Sequence, residues 1–126
     1  MQKFRRLKHT TSVRLRYHSS TTKKYRWKRA LIAVDTASDI SVISRRLINQ
    51  DLHIPIRKVE GEIAQRLHAS NQWPNDTIIG YVDLTWRMEQ NPHMEYRTQF
   101  FVESHNPYYT VILGRQDAKR ANMLNK

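Results

Sequence analysis

A carboxylate directly follows an apolar run in this chain. Leu31 to Val34 lead into Asp35, Thr36, Ala37 and Ser38, and Ile40, Val42 and Ile43 then resume the apolar pattern. An aspartate at the end of a buried strand stands on a rigid base beside apolar walls. The hydroxyls of Thr36 and Ser38 are close enough in sequence to orient it. One such carboxylate is costly to bury. Two that face each other can share a proton and activate a water held between them. A plainer role is also open, because Asp, Thr and Ser commonly close turns and cap helices.

Other kinds of chemistry find less support. The chain has no cysteine, which excludes disulfides and thiolate metal sites. Its six histidines (His9, His18, His53, His68, His93 and His105) lack the short spacing of a metal pair, so no metal site and no cofactor are expected. No serine sits in a nucleophile-elbow pattern, and there is no glycine-rich phosphate loop. Asn75-Asp76-Thr77 fits a glycosylation sequon but reads as a chance match without a secretory signal.

The elements that must position Asp35 are mostly short strands. Ala30 to Val34 read as a strand buried on both faces, "SVISRRLI" (41–48) is rich in β-branched residues, and Ile54 to Val59 alternate as a half-exposed strand does. "TIIGYVDLTWRM" (77–88), "YRTQFFVE" (96–103) and "YYTVIL" (108–113) follow. They are separated by turn formers at 70–76, at Asn91-Pro92 and at 105–107. Gly80, inside a strand, predicts a bulge or a close backbone approach. Only "GRQDAKRANML" (114–124) looks helical. Several short strands and one late helix argue for a mostly β barrel or sandwich.

The 126 residues fit one domain, and the net charge of +11 is unevenly placed. Residues 1–30 carry 11 of the 22 Lys/Arg and no acid, so the remainder is electrically balanced. We therefore divide the chain into a basic, disordered arm (1–29) and a globular domain (30–126). Phe4, Leu7, Thr11 and Leu15 fall on one helical stripe of the arm, which also allows a mitochondrial presequence. Arginines interleaved with Tyr17, Tyr25 and Trp27 allow nucleic-acid contact through residues 1–29. No run approaches the roughly 18 apolar residues of a membrane span, and no membrane partner is expected. An intracellular, cytoplasmic location is expected, with the mitochondrion as the alternative.

The Asp35 segment resembles the active-site signature of the retropepsin-like aspartic peptidases, the protease family of retroviruses and retrotransposons. That signature is an apolar strand, Asp-Thr/Ser-Gly, a small residue, and a polar-apolar stretch. Here it stands as "ALIAV", "DTA", Ser38 and "DISVIS". A second match, "TVILGRQDAKRANML", is similar to the family's apolar-Gly-helix motif near the C-terminus. Between them, "RLHASNQWPNDTIIGYVDLTW" looks like the flap hairpin and its return strand, with the tip near Ser70–Gln72. The likeness spans residues 28–124.

The resemblance implies a retropepsin-like half-barrel, mostly β, with a flap hairpin and one short C-terminal helix. Asp35 matches the catalytic aspartate, and Thr36 the residue whose hydroxyl ties the two active-site loops together. Ala37, Ser38, Ala69 and Ser70 match substrate-facing positions. Only one Asp stands in such a context, so the resemblance implies a homodimer that cleaves polypeptide substrates with one Asp per subunit. Asp39 and Asp117 match no catalytic position. The departure is Ala37, where the family has glycine. A methyl group there can crowd the substrate or shift the loop that aims Asp35. A catalytically inactive binding or dimerisation module of the same fold is therefore the alternative, and a nucleic-acid-binding module acting through the arm is a third.

Overall fold

The computed structural model describes residues 10–19, 21–70, 77–104 and 110–124. Strands β1 (Thr10–His18) and β2 (Tyr25–Asp35) form an antiparallel hairpin in which Thr10 pairs with Ala33 and His18 with Tyr25. β3 is Ser41–Ser44. Strands β4 (Ile78–Met88) and β5 (Asn91–Glu103) form a second long hairpin, and β6 (Thr110–Gly114) runs parallel to β2. The order β1-β2-β6-β3-β5-β4 closes into a barrel where Val13, Arg14 and Leu15 of β1 meet Met88, Arg87 and Trp86 of β4. Closure gives every strand a partner on both sides over part of its length.

β1 lies within the segment read as a disordered arm. Its side chains alternate: Val13 and Leu15 are fully buried in the barrel, while Arg14 and Arg16 lie on the other face. That period of two marks a strand, and the helical stripe sought through Leu7 and Leu15 passes over it. The barrel therefore begins at Thr10 rather than near Ala30. Residues 1–9 lie outside the described residues.

Two apolar clusters sit on opposite sides of the sheet. Inside the barrel, Ile32, Ile43, Leu84, Trp86, Phe100, Val102, Val111 and Leu113 pack together. Outside it, Ile40, Val42, Tyr81, Phe101 and Ile112 pack with Leu67. Neighbouring residues such as Val42 and Ile43, Phe100 and Phe101, or Val111 and Ile112 thus point to different cores. This is why "SVIS", "FFV" and "TVIL" are apolar at successive positions rather than alternating. Inside the barrel the Trp86 indole donates to the Thr98 hydroxyl at 2.9 Å, which satisfies its one polar atom.

Helix is more extensive than the sequence reading of a single late helix. Ser44 ends β3 and caps α1 (Arg45–Leu47), its hydroxyl accepting from the Leu47 amide at 3.1 Å. The chain continues through a π-helical turn, Ile48–Leu52, that buries Ile48 and Leu52. The "RRLI" expected to continue a strand is therefore helical. Ile54 to Val59, read as a strand, contributes only a bridge in which Arg57 and Tyr81 exchange backbone hydrogen bonds at 2.9 Å. α2 (Gly61–Ala69) covers the outer cluster with Leu67, and Ile63 packs against it. Arg66 to Ala69, expected as the outgoing arm of a flap hairpin, form the last turn of this helix. The expected return strand is β4. Residues 71–76, which hold the rest of the expected tip, lie outside the described residues. The late helix is present as α3 (Arg115–Arg120).

Gly80 meets both expectations for a strand glycine. The β4–β5 register shifts between Ile78 and Gly80, and the Arg57 bridge approaches so closely that a β-carbon on Gly80 would collide with Ile56 and with the Arg57 carbonyl oxygen.

Candidate active site

β2 carries Asp35 to the end of the barrel. Ile32 and Ala33 are fully buried, Val34 and Asp35 are half-buried, and Thr36 and Ala37 are exposed. The chain therefore leaves the core just as it reaches the carboxylate. Asp35 is paired across the parallel β2–β6 ladder with Gly114, so the two sequence motifs, 79 positions apart, are neighbours in space. The Ala37 amide donates to Asp35 Oδ1 at 3.0 Å, and the Ser38 amide donates to the Asp35 carbonyl at 3.1 Å. This is the turn an aspartate makes with the backbone two residues on, and it fixes the side-chain orientation.

The turn is anchored from below. Ser38 is fully buried, and its hydroxyl both donates to the Ile40 carbonyl (2.8 Å) and accepts from the Ile40 amide (3.3 Å). The Ser38 carbonyl accepts from the Arg115 amide at 2.8 Å, joining the Asp35 loop to the start of α3. Beside it, the buried Ser41 hydroxyl accepts from the Gly114 amide (2.9 Å) and donates to Asp117 (2.6 Å). Asp39 and Asp117, set aside as catalytic candidates on sequence, are each paired with an arginine: Asp39 with Arg115 at 3.1 Å and Asp117 with Arg120 at 2.9 Å. The brace formed by Ser41 and Asp117 was not anticipated from sequence. Its one visible signal is a serine at the head of β3, directly before the apolar pair Val42 and Ile43.

Ala37 does not require glycine's conformational freedom. Among the described residues, the non-glycine positions with positive φ are Lys23, His53 and Asn122. Ala37 is described and is not among them, so its methyl group imposes no backbone strain. What remains of the departure from glycine is the space the methyl occupies on the exposed side of the turn.

The sequence-derived site residues fall into two places. Asp35, Thr36, Ala37 and Ser38 share the turn after β2. Ala69 and Ser70, at the end of α2, line a cleft of about 510 Å³ together with Asp39, Arg66, Gln99 and Arg115. None of Asp35 to Ser38 lines that cleft, although Asp39 follows directly in sequence. Ser70 is 4% exposed, and its hydroxyl has no hydrogen-bond partner among the described residues. Among the described residues, no group of three His, Asp or Glu side chains could hold a metal ion.

A protease-type chain path accounts for this architecture. Among solved structures, the retroviral protease-like domain of Ddi1 from Leishmania major superposes with a TM-score of 0.54, over 89% of this chain and 75% of that one, at 13% sequence identity. The fold is retropepsin-like. At that identity the likeness is one of fold. No family model matches the sequence, and no curated protein matches it. Within this fold, the turn after β2 and the β6–α3 junction lie side by side. Among the described residues, no helix is long and apolar enough to cross a membrane.

Proposed function

We propose that this chain is an aspartic-type endopeptidase that works as a homodimer, with Asp35 contributed by each subunit. The reading rests on one observation: Asp35 stands at the exposed end of a barrel strand, paired with Gly114 and oriented by the Ala37 amide. A carboxylate so placed is accessible and rigidly aimed, which acid–base work requires. A single chain supplies one such group. A second copy related by a two-fold axis supplies the other, and the axis then passes between the two carboxylates.

In such a pair one carboxyl is protonated and its partner is ionised. The ionised group takes a proton from a water molecule, and the water oxygen attacks the peptide carbonyl. The protonated group donates to the carbonyl oxygen, and proton return to the amide nitrogen breaks the C–N bond. Thr36 follows Asp35 on the exposed side of the turn, and its proposed part is to tie the two loops together across the axis. Ala37 lines the approach, the buried Ser38 holds the turn from below rather than meeting substrate, and Ala69 and Ser70 line the neighbouring cleft.

The deciding experiment is peptide-library cleavage at mildly acidic pH with wild type, Asp35→Asn and Ala37→Gly. Cleavage by wild type that is lost in Asp35→Asn and blocked by pepstatin supports the proposal. Equal cleavage by wild type and Asp35→Asn overturns it. Cleavage appearing only in Ala37→Gly identifies the natural chain as a non-catalytic module of the same fold.

A further inference from the structure

Part of the basic excess of the sequence lies on one ordered surface. β1 and β2 pair so that Arg14 faces Arg29, Arg16 faces Trp27 and His18 faces Tyr25, and β4 extends the same surface by pairing Arg87 with Arg14. Residues directly opposite in an antiparallel pair share a face. The outer side of this three-stranded patch therefore carries four guanidiniums together with Trp27, Tyr25 and His18.

The charges on it are not neutralised by acids in equal number. Glu89 takes Arg14 at 2.7 Å and Arg29 at 3.3 Å, one carboxylate against two cations. Among the described residues Arg16 and Arg87 form no ion pair and meet aromatic rings instead, although Glu95 of β5 stands opposite Arg87 on the same face. Arg16 lies over the Tyr25 ring at 4.5 Å from its centroid, and Arg87 over the Trp27 ring at 3.9 Å. Tyr25 is 63% exposed, with its edge against His18. Lys23 and Lys24 add exposed cations in the turn between β1 and β2, while Arg26 pairs with Tyr17 on the opposite face.

We infer that the outer face of β1, β2 and β4 binds single-stranded nucleic acid, with Tyr25 and Trp27 as the base-stacking platform and Arg16, Arg87, Lys23 and Lys24 as the phosphate contacts. Cations alone would serve any polyanion. Aromatic rings alternating with guanidiniums at strand spacing suit a ligand that alternates flat bases with phosphates, because stacking on exposed rings is open to unpaired bases and closed to bases inside a duplex. A bilayer surface offers phosphates but no planar group to stack. The inference is independent of the proposed peptidase activity, since none of these residues belongs to the Asp35 turn.

The test is fluorescence anisotropy on the full chain with labelled oligo-dT and oligo-U of about 20 nucleotides and a duplex of equal length, each across salt, with sedimentation against phosphatidylserine vesicles in parallel. Single strands are expected to bind more tightly than the duplex. Tyr25→Ala should weaken single-strand binding roughly 5- to 100-fold, the range for loss of one stacked base. Arg16→Gln and Arg87→Gln should each flatten the log–log salt slope by about 0.7. Lys119→Gln, which removes the same charge from α3, should leave binding as in wild type. Trp27→Ala also removes a packing partner of Arg87, so Tyr25→Ala, at the most exposed of these positions, is the decisive variant. Binding that is unchanged by Tyr25→Ala and Arg16→Gln overturns the inference. So does tighter binding to the duplex, or binding to vesicles without retention of oligonucleotide.

Discussion

Gly114 lies so close to Ile40 that a β-carbon on it would stand 2.5 Å from the Ile40 carbonyl oxygen. Its φ of −73° is open to any residue, so space rather than backbone freedom excludes a side chain. Gly114→Ala must push apart the Asp35 loop and the β6–α3 junction. We expect a loss of about 1–3 kcal/mol in chemical denaturation, as for other overpacked sites. Any peptide cleavage should fall further than that loss of stability explains, because the same contact positions Asp35.

Ser41 links the same junction through two hydrogen bonds, one from the Gly114 amide and one to Asp117. Ser41→Ala leaves a buried amide without its acceptor and removes a donor from the carboxylate. The expected cost is about 1–3 kcal/mol in urea denaturation. Asp117→Asn keeps an acceptor in place and should cost less than Ser41→Ala. The reverse order would show that the serine is not the centre of the brace.

Asp35→Asn separates stability from chemistry. The residue is half-buried and the Ala37 amide can still donate to the amide oxygen of asparagine, so stability should change by no more than about 0.5 kcal/mol, as at ordinary surface positions. Peptide cleavage, by contrast, should be abolished. A thermal melt beside a cleavage assay reads both quantities on one preparation.

Glu89 supplies a pH dependence with a defined sign. Hydrogen bonds from the Ser12 hydroxyl and the Arg14 guanidinium hold its carboxyl below the ordinary glutamate range, with the charge of Arg29 adding to the effect. A carboxylate depressed on folding contributes stability that is complete above its unfolded value of about 4.3 and is lost as pH falls through the folded value. Wild type should therefore melt above Glu89→Gln at neutral pH, and the gap should close as the solution is acidified below that range. A gap that widens on acidification would contradict the assignment.

Much of the barrel was legible in the sequence because its strands bury both faces. Val42–Ile43 of β3, Phe100–Val102 of β5 and Val111–Leu113 of β6 are continuous apolar runs for that reason, and Gly114 marks the end of β6 and the start of α3 by its spacing from Asp35. β1 escaped because its signal is only half apolar. Val13, Leu15 and Tyr17 alternate with arginines, and against a background of basic, hydroxyl-rich residues that alternation reads as an unstructured arm. α2 escaped for a related reason. It buries Leu67 and packs Ile63 against the outer cluster, too narrow a stripe to declare a helix in nine residues. The Asp35 turn was legible as a turn, since Asp, Thr and Ser in succession commonly close one. Its anchoring was not, because the Ser38–Arg115 and Ser41–Asp117 contacts join residues more than 70 positions apart.

β2 runs from Tyr25 to Asp35 without interruption. At about 3.3 Å per residue its two ends lie about 33 Å apart on one stiff rod. A polymer draped across the Tyr25 end would leave the Asp35 end unobstructed, so both could be engaged at once. Chains aligned along one such polymer would also meet at a raised effective concentration. If Asp35 acts beside a second copy of itself, as proposed, that crowding would work as an assembly template.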